Sequence, residues 1–416
     1  MPVILQVHEL DIGMRLANPV IRDRNILLPA GKVLNDADID TLRRSCPRAA
    51  IHISDPVLDD LVSFQDVTRD RKVAAATRRK LLRAMSSVRD KFSSRMALGG
   101  MDLRGVHEAM AYITHYLNEN PNAAAMIMRP GKEASYLTEH PANVFYLSVV
   151  VGNAVRNFVR RDLGNRSSLR SYQRPRPPIN VAPLGLAALF MDVAMWPLEE
   201  AFNQPGPLSP EQREIVWHHP HAGAEVLPTN VPLLVGEIVR RHHENYDGTG
   251  YPDGLSADQV PLFARIVRLA DAFDAATTTR VFRQAKSPPR VLWEMTMGPY
   301  AHLYDPVLLK IFGGVVQPFP IGAKLRLACG RYAVVVRFGG NYALLPEVII
   351  AFDENGKRLP RERLEGPFKL EEHPALRIVS YGGEDLTDVY GEGTSYTEFQ
   401  MPVAAKFQTL FESVYP

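Results

Sequence analysis

The chain has 416 residues, is 46% hydrophobic and 23% charged, and carries a formal net charge of +2. That length exceeds what one core organises, so two or three domains are expected, and the near-neutral balance excludes a global field that would draw the chain to nucleic-acid polymers or anionic membranes. Two distant cysteines, Cys46 and Cys329, exclude a cysteine-built zinc site and a disulfide framework, which points to a reducing cytoplasm.

The opening MPVILQVHELDIGM holds acids within its apolar run and has no basic leader segment, so it reads poorly as a signal peptide. No stretch reaches the roughly 18 apolar residues that a membrane span needs, so no insertion is expected. Residues 1–65 read as a small mixed α/β unit. GMRLANPVIRDRNILLPAGKVL has short β-branched and leucine segments broken by Asn-Pro and Pro-Ala-Gly, the pattern of strands and turns. NDADIDTLRRSC follows as a helix capped by Asn35 or Asp36.

Residues 66–124 form a basic helical connector. Leu81, Met85, Val88 and Phe92 give it one apolar stripe, and its cations predict a solvated face. Residues 125–305 are dominated by helical periodicity, interrupted at RRDLGNRSSLRSYQRPRPPIN, which reads as an irregular loop. Residues 315–416 are β-rich: the sequence from Ile321 to Leu359 alternates between glycine turns, with a Glu-Asn-Gly hairpin signal at 354–356. MPVAAKFQTLFESV then closes the chain as a helix. The fold class expected is multidomain, with a central all-α helical bundle, a small mixed N-terminal unit and a β-rich C-terminal unit.

The central region carries the chemistry. In PLLVGEIVRRHHEN, His242 shares a face with Val235, Ile238 and Val239, so it extends the apolar face inward. A buried imidazole needs a partner for each ring nitrogen; a metal with an outer acceptor is one solution and a backbone-bonded core histidine is another. His243 and the DGTGYPDG loop favour the metal, because Gly248 and Gly250 let backbone approach a ligand closely.

In VPLFARIVRLADAFDA, Leu262, Ile266, Leu269 and Phe273 form the main stripe. Ala264, Val267, Asp271 and Asp274 form a second, whose carboxylates either sit at a solvated edge or face a cation. LSPEQREIVWHHPHAG opens with a capping box at Ser209 and Gln212 and runs into His218, His219 and Pro220. APLGLAALFMDVAMWPL is an apolar helix with Asp192 in its middle, an acid that needs a cation or strong donors. YLTEHPANVFYLSVVV starts a helix at Pro141 and leaves His140 at its cap. Inward His and Asp residues from several helices are how a bundle-core metal site is built, and nitrogen and oxygen ligands favour iron, manganese or another divalent ion over structural zinc. A shared aspartate such as Asp192 can bridge two ions, an arrangement suited to attack on a phosphodiester.

The ordered series His140, Asp192, His219-Pro220, His242-His243-Glu244, DGTGYP and LADAFDA resembles the HD-GYP domain, a branch of the HD phosphohydrolases, over residues 125–305. The resemblance implies a metal-dependent phosphodiesterase for cyclic di-GMP or a related nucleotide, with a metal-bound hydroxide as nucleophile. It implies one or two Fe or Mn ions held by His140, Asp192, His219, His242, His243 and Asp271. It further implies a substrate loop of Gly248, Gly250, Tyr251 and Pro252, catalytic roles for Asp192 and Tyr251, and a phosphate clamp of Arg280 and Arg283. Two positions depart from the family pattern: Met191 replaces its histidine and Met195 its lysine, and a thioether is a poor ligand for such ions. One metal position would keep His140, Asp192 and Asp271, the other Asp192, His219, His242 and His243. Three functions stay open: a cyclic di-GMP binding or docking module with reduced or no turnover, an active cyclic di-GMP phosphodiesterase, and an HD-class hydrolase of another nucleotide. A signalling protein and a second copy of the chain are the expected protein partners.

Overall fold

Alternating aliphatic side chains make Pro2–Gln6 (β1) and Ala50–Ser54 (β5) strands, which pair antiparallel from Pro2↔Ser54 to Gln6↔Ala50. The computed structural model describes residues 2–59 except 23, 24 and 48; residues 76, 78–90 and 92; 104–119; 135–167; 179–279 except 203, 205 and 229; and 284–391 except 340–342. These divide into two units, one drawn from both ends of the chain and one helical.

In the first unit, Arg15–Leu16 (β2) adds to the other edge of β5, giving the order β1-β5-β2. Val20–Arg22 (β3) and Asn25–Leu28 (β4) form a separate hairpin. Asp36–Ser45 (α1) starts at Asn35, whose side chain accepts from the Asp38 N–H at 2.9 Å while the Asp38 carboxylate accepts from the Asn35 N–H at 3.2 Å. That reciprocal pair selects Asn35 over Asp36 as the cap.

The β-rich region forms an antiparallel six-stranded sheet, ordered β11-β10-β6-β7-β8-β9. Its strands are Lys324–Leu327 (β6), Tyr332–Arg337 (β7), Glu347–Phe352 (β8), Glu365–Lys369 (β9), Ile378–Tyr381 (β10) and Glu384–Asp385 (β11). The Glu-Asn-Gly signal is a turn in which the Gly356 N–H reaches the Asp353 carbonyl at 3.1 Å and Gly356 has φ +78°. All of β8 is buried, and Val334, Ile349, Ala351 and Phe352 share one core with Val3, Leu5, Leu42 and Ile53. The sequence reading placed residues 1–65 and 315–416 in separate regions; the described parts of both build this single core. Periodicity shows that a strand has a buried face but not which distant segment covers it. The closing MPVAAKFQTLFESV helix lies outside the described residues.

The helical unit contains residues 78–90 (α2), Arg104–Glu119 (α3), Tyr136–Ser167 (α4), Ala182–Phe190 (α5), Pro210–Glu225 (α6), Leu233–Arg241 (α7), Leu262–Thr277 (α8), Pro288–Thr296 (α9) and Pro306–Val315 (α10). Helix α4 is its axis, packed against α3, α5, α8 and α10, with Val144 through Val149 buried on every face. Gly185 on α5 permits the α4–α5 approach, since a Cβ there would stand 2.9 Å from the Phe145 ring.

Three local readings are corrected. Helix α4 begins at Tyr136, not at Pro141: the Thr138 and Glu139 N–H groups bond back to Ser135, so His140 lies inside the second turn and Pro141 is tolerated there. The same helix runs on to Ser167, so the Arg-rich segment is helical where it begins. Asp192 is not mid-helix either. Helix α5 ends at Phe190, and Asp192 precedes a tighter turn over Val193–Leu198 that contains Pro197. The whole run Ala182–Phe202 is long and apolar enough to cross a membrane by composition, but most of it is buried, as in a core segment.

The basic connector buries the expected stripe and exposes Arg79, Lys80 and Arg83, but two of its cations are drawn into the helical unit. Leu81, Met85, Val88 and Phe92 are all buried, Arg78 is 5% exposed, and the Arg89 guanidinium donates to Ser135 and Thr138 at 2.9 and 2.7 Å.

Candidate metal centre

Five chain segments deliver the predicted ligands to one place. Helix α4 supplies His140, the end of α5 Asp192, α6 His219, the C-terminus of α7 His242 and His243, and α8 Asp271. His140 Nε2 stands 3.0 Å from Asp271 and 3.7 Å from Asp192; His219 Nε2 is 3.3 Å and His242 Nε2 3.9 Å from Asp192; His243 Nδ1 is 3.7 Å from Asp271. His243 is half-buried and the other five are buried.

Two of the histidines have their tautomers set by their own helices. His219 Nδ1 lies 2.5 Å from the Val216 carbonyl, and His242 Nδ1 lies 2.6 Å from the Val239 carbonyl. A carbonyl only accepts, so each Nδ1 carries a hydrogen, and the two Nε2 atoms face each other 3.1 Å apart. Burial, then the neighbouring His219, pushes His242 down to about 4, which keeps it neutral near pH 7. One Asp192 oxygen faces the same point, and the other, Oδ2, has no hydrogen-bond partner among the described residues although Asp192 is 2% exposed. His243 joins them: ligand atoms of His219, His242 and His243 lie within 4.8 Å of one another. Ring nitrogens converging on a buried carboxylate call for a cation, and three imidazoles with one carboxylate fit a first-row divalent metal.

The His140 side is built differently. Burial disfavours its charge, but hydrogen bonds to Asp271 at 3.0 Å and Asp274 at 2.7 Å outweigh that and raise its pKa to about 10. Burial likewise opposes ionisation of Asp271, and the His140 bond reverses this, holding Asp271 far below the usual carboxylate range. Metal-free His140 is therefore an imidazolium clamped between two carboxylates. Coordination through Nε2 requires loss of that proton and leaves Asp274 to orient the ring through Nδ1. Asp274 accepts from Asn143 at 2.8 Å, and Asn143 accepts from buried Arg78 at 2.6 Å.

The loop after His243 is held by Glu244. This residue is 1% exposed, and its carboxylate accepts the backbone N–H groups of Asp253 at 2.6 Å and Leu255 at 3.0 Å. Gly250 has no room for a side chain, because a Cβ would stand 2.2 Å from the Asn245 nitrogen; Gly248 has φ +84°. Tyr251, followed by Pro252, stacks between His243 at 4.8 Å and the exposed Trp217 at 4.3 Å. Burial raises the Tyr251 phenol above its ordinary range, so it stays protonated. Arg268 donates from Nε to Asn245 at 2.9 Å and comes within 3.8 Å of Asp271.

Met191 is fully buried and Met195 is 7% exposed, and the Met195 backbone N–H donates to the Asp192 carbonyl at 2.8 Å. Arg280 and Arg283 lie outside the described residues. Sequence reasoning missed Asn143, Arg78, Glu244, Trp217 and Arg268 as parts of the site. Only Asn143 and Glu244 left a signal: a polar residue on an otherwise apolar helix face, and an acid directly after the paired histidines.

Residues 174–308 match the HD domain family. The chain is 27% identical over 278 residues to a cyclic di-GMP phosphodiesterase of Pseudomonas aeruginosa, covering 66% of this chain and 62% of that protein. It is 44% identical over 85 residues to the cyclic di-GMP phosphodiesterase response regulator RpfG of Xanthomonas campestris, covering 20% of this chain and 22% of the relative. It is also 29% identical over 116 residues to a 3'3'-cGAMP-specific phosphodiesterase of Vibrio cholerae, covering 27% of this chain and 22% of the relative. The chain thus spans less than two thirds of the length of each of these relatives.

Proposed function

We propose, from the match of residues 174–308 to the HD domain family and from their HD-GYP motifs, that the protein binds cyclic di-GMP, or a related cyclic dinucleotide, at a metal site with reduced or no turnover. The observation that carries this reading is Met191, fully buried and next to Asp192 in the chain, where the resemblance expects a histidine ligand. Asp192, His219, His242 and His243 would hold one Fe or Mn ion. His140, Asp192 and Asp271 would have to hold a second with a thioether in place of a nitrogen ligand.

A bound divalent ion supplies charge to the phosphate and acidifies water near it. The protein's own groups then orient the nucleotide. The protonated Tyr251 phenol donates a hydrogen bond toward a phosphate oxygen, with its ring fixed by His243 and Trp217. Glu244 keeps that loop in register. Arg280 and Arg283 remain the expected phosphate clamp. A signalling protein or a second copy of the chain is the proposed docking partner, and a cytoplasmic setting agrees with free Cys46 and Cys329.

A second reading, an active cyclic di-GMP phosphodiesterase, is favoured by the convergence of all six candidate ligands. Anaerobic purification with Fe or Mn, followed by calorimetry and product analysis with cyclic di-GMP, separates the two. The proposal expects binding with little product, and product gained in the Met191→His/Met195→Lys double variant. Rapid multiple turnover by the unaltered protein would establish the phosphodiesterase instead.

A further inference from the structure

We propose that Arg268 is a phosphate-binding residue of this site. This rests on reading the site as one for a nucleotide phosphodiester.

Arg268 lies on α8, one turn before Asp271, with its side chain 17% exposed. Its Nε is fixed by the 2.9 Å bond to Asn245, whose amide reaches Thr249 of the substrate loop at 3.0 Å. The Tyr304 ring lies beneath the guanidinium, 5.5 Å from Cζ to ring centroid. The fork is thereby held at one angle. Its remaining donors are not consumed: Nη1 is 3.8 Å from Asp271 Oδ2, too far for a hydrogen bond, and neither Nη makes one among the described residues. Asp271 is already the acceptor for His140.

The guanidinium is mostly withdrawn from water, its Nη1 has only a long ion pair with Asp271, and both Nη groups keep donors free for an anion. A phosphodiester fits it, because two non-bridging oxygens sharing one charge match the two Nη donors. The position is also suitable, since Arg268 stands 3.8 Å from the candidate ligand Asp271 and is tied through Asn245 to Thr249 of the substrate loop. Among the described residues, Arg240 pairs with Asp253, and Arg265 with Asp258 and Asp305.

The test is calorimetry on the full chain loaded with Mn, using a phosphorothioate analogue of cyclic di-GMP that resists hydrolysis. Arg268→Gln should weaken binding by about tenfold or more and flatten its salt dependence, and Arg268→Lys should recover part of the loss. Asn245→Ala breaks the Nε bond while keeping the charge, so it should weaken binding by clearly less than Arg268→Gln does. Unchanged affinity in Arg268→Gln overturns the proposal, as does an equal loss in Asn245→Ala, which would make Arg268 only a loop support. If the unaltered protein binds no cyclic dinucleotide, the functional reading fails, and inorganic phosphate becomes the probe for Arg268. Phosphate binding lost in Arg268→Gln would then uphold the role, and equal or absent binding in both proteins would overturn it.

Discussion

Replacing Glu244 with alanine should loosen the loop that carries Tyr251. The carboxylate is buried and accepts from the Asp253 and Leu255 N–H groups at 2.6 and 3.0 Å. A hydrogen bond to a charged acceptor contributes about 1.5–3 kcal/mol, so two set an upper bound of roughly 3–6 kcal/mol. Asp253 is exposed and Leu255 half-buried, so water takes over part of each lost bond and about 2–3 kcal/mol is expected. For a unit of this size that lowers Tm by roughly 4–10 °C. Glu244→Gln retains one acceptor oxygen and should fall between. Thermal unfolding gives the shift, and hydrogen exchange at the Asp253 and Leu255 amides shows whether the loss is local. Unchanged protection at both amides, with Tm within about 1 °C of the unaltered protein, would refute the clamp.

Gly250→Ala should cost about 2–4 kcal/mol in denaturant unfolding and alter the emission of Trp217, because backbone, not a flexible side chain, occupies the Cβ position. Metal-free stability should peak near pH 6.5. The raised pKa of His140 makes its contribution complete below 6.5 and lost as pH climbs through about 10, while the depressed pKa of His242 makes its contribution complete above 6.5 and lost as pH falls through about 4. Thermal melts of chelator-treated protein across that range test both signs. Asn143→Leu should leave the helical unit folded but weaken metal binding by roughly 10–100-fold in competition with a chelating dye, because Asp274 loses the donor that aims it at His140.

Much of the helical unit was legible because its helices carry one-sided apolar stripes: Val235, Ile238, Val239 and His242 are buried together, as are Leu262, Ile266, Leu269 and Phe273. Of the six candidate ligands, His140, His219 and Asp271 lie on inward helix faces, whereas Asp192, His242 and His243 lie at or just beyond helix ends. What the sequence concealed depends on partners far away in the chain. Pro141 suggested a helix start, but Ser135 receives the first bonds. Arg78 reads as one more solvated cation until α4 covers it and Asn143 accepts its donor. The shared core of the two chain ends has no local signature either, since β8 is as apolar as any strand buried on both faces.

The central claim is that Met191 leaves one strong metal position and one depleted one. Elemental analysis of the anaerobically purified protein after exposure to excess Mn, with unbound ion removed, tests it directly. The expected result is one ion per chain in the unaltered protein and two in Met191→His. Two tightly held ions without the substitution, or none in either form, would contradict it.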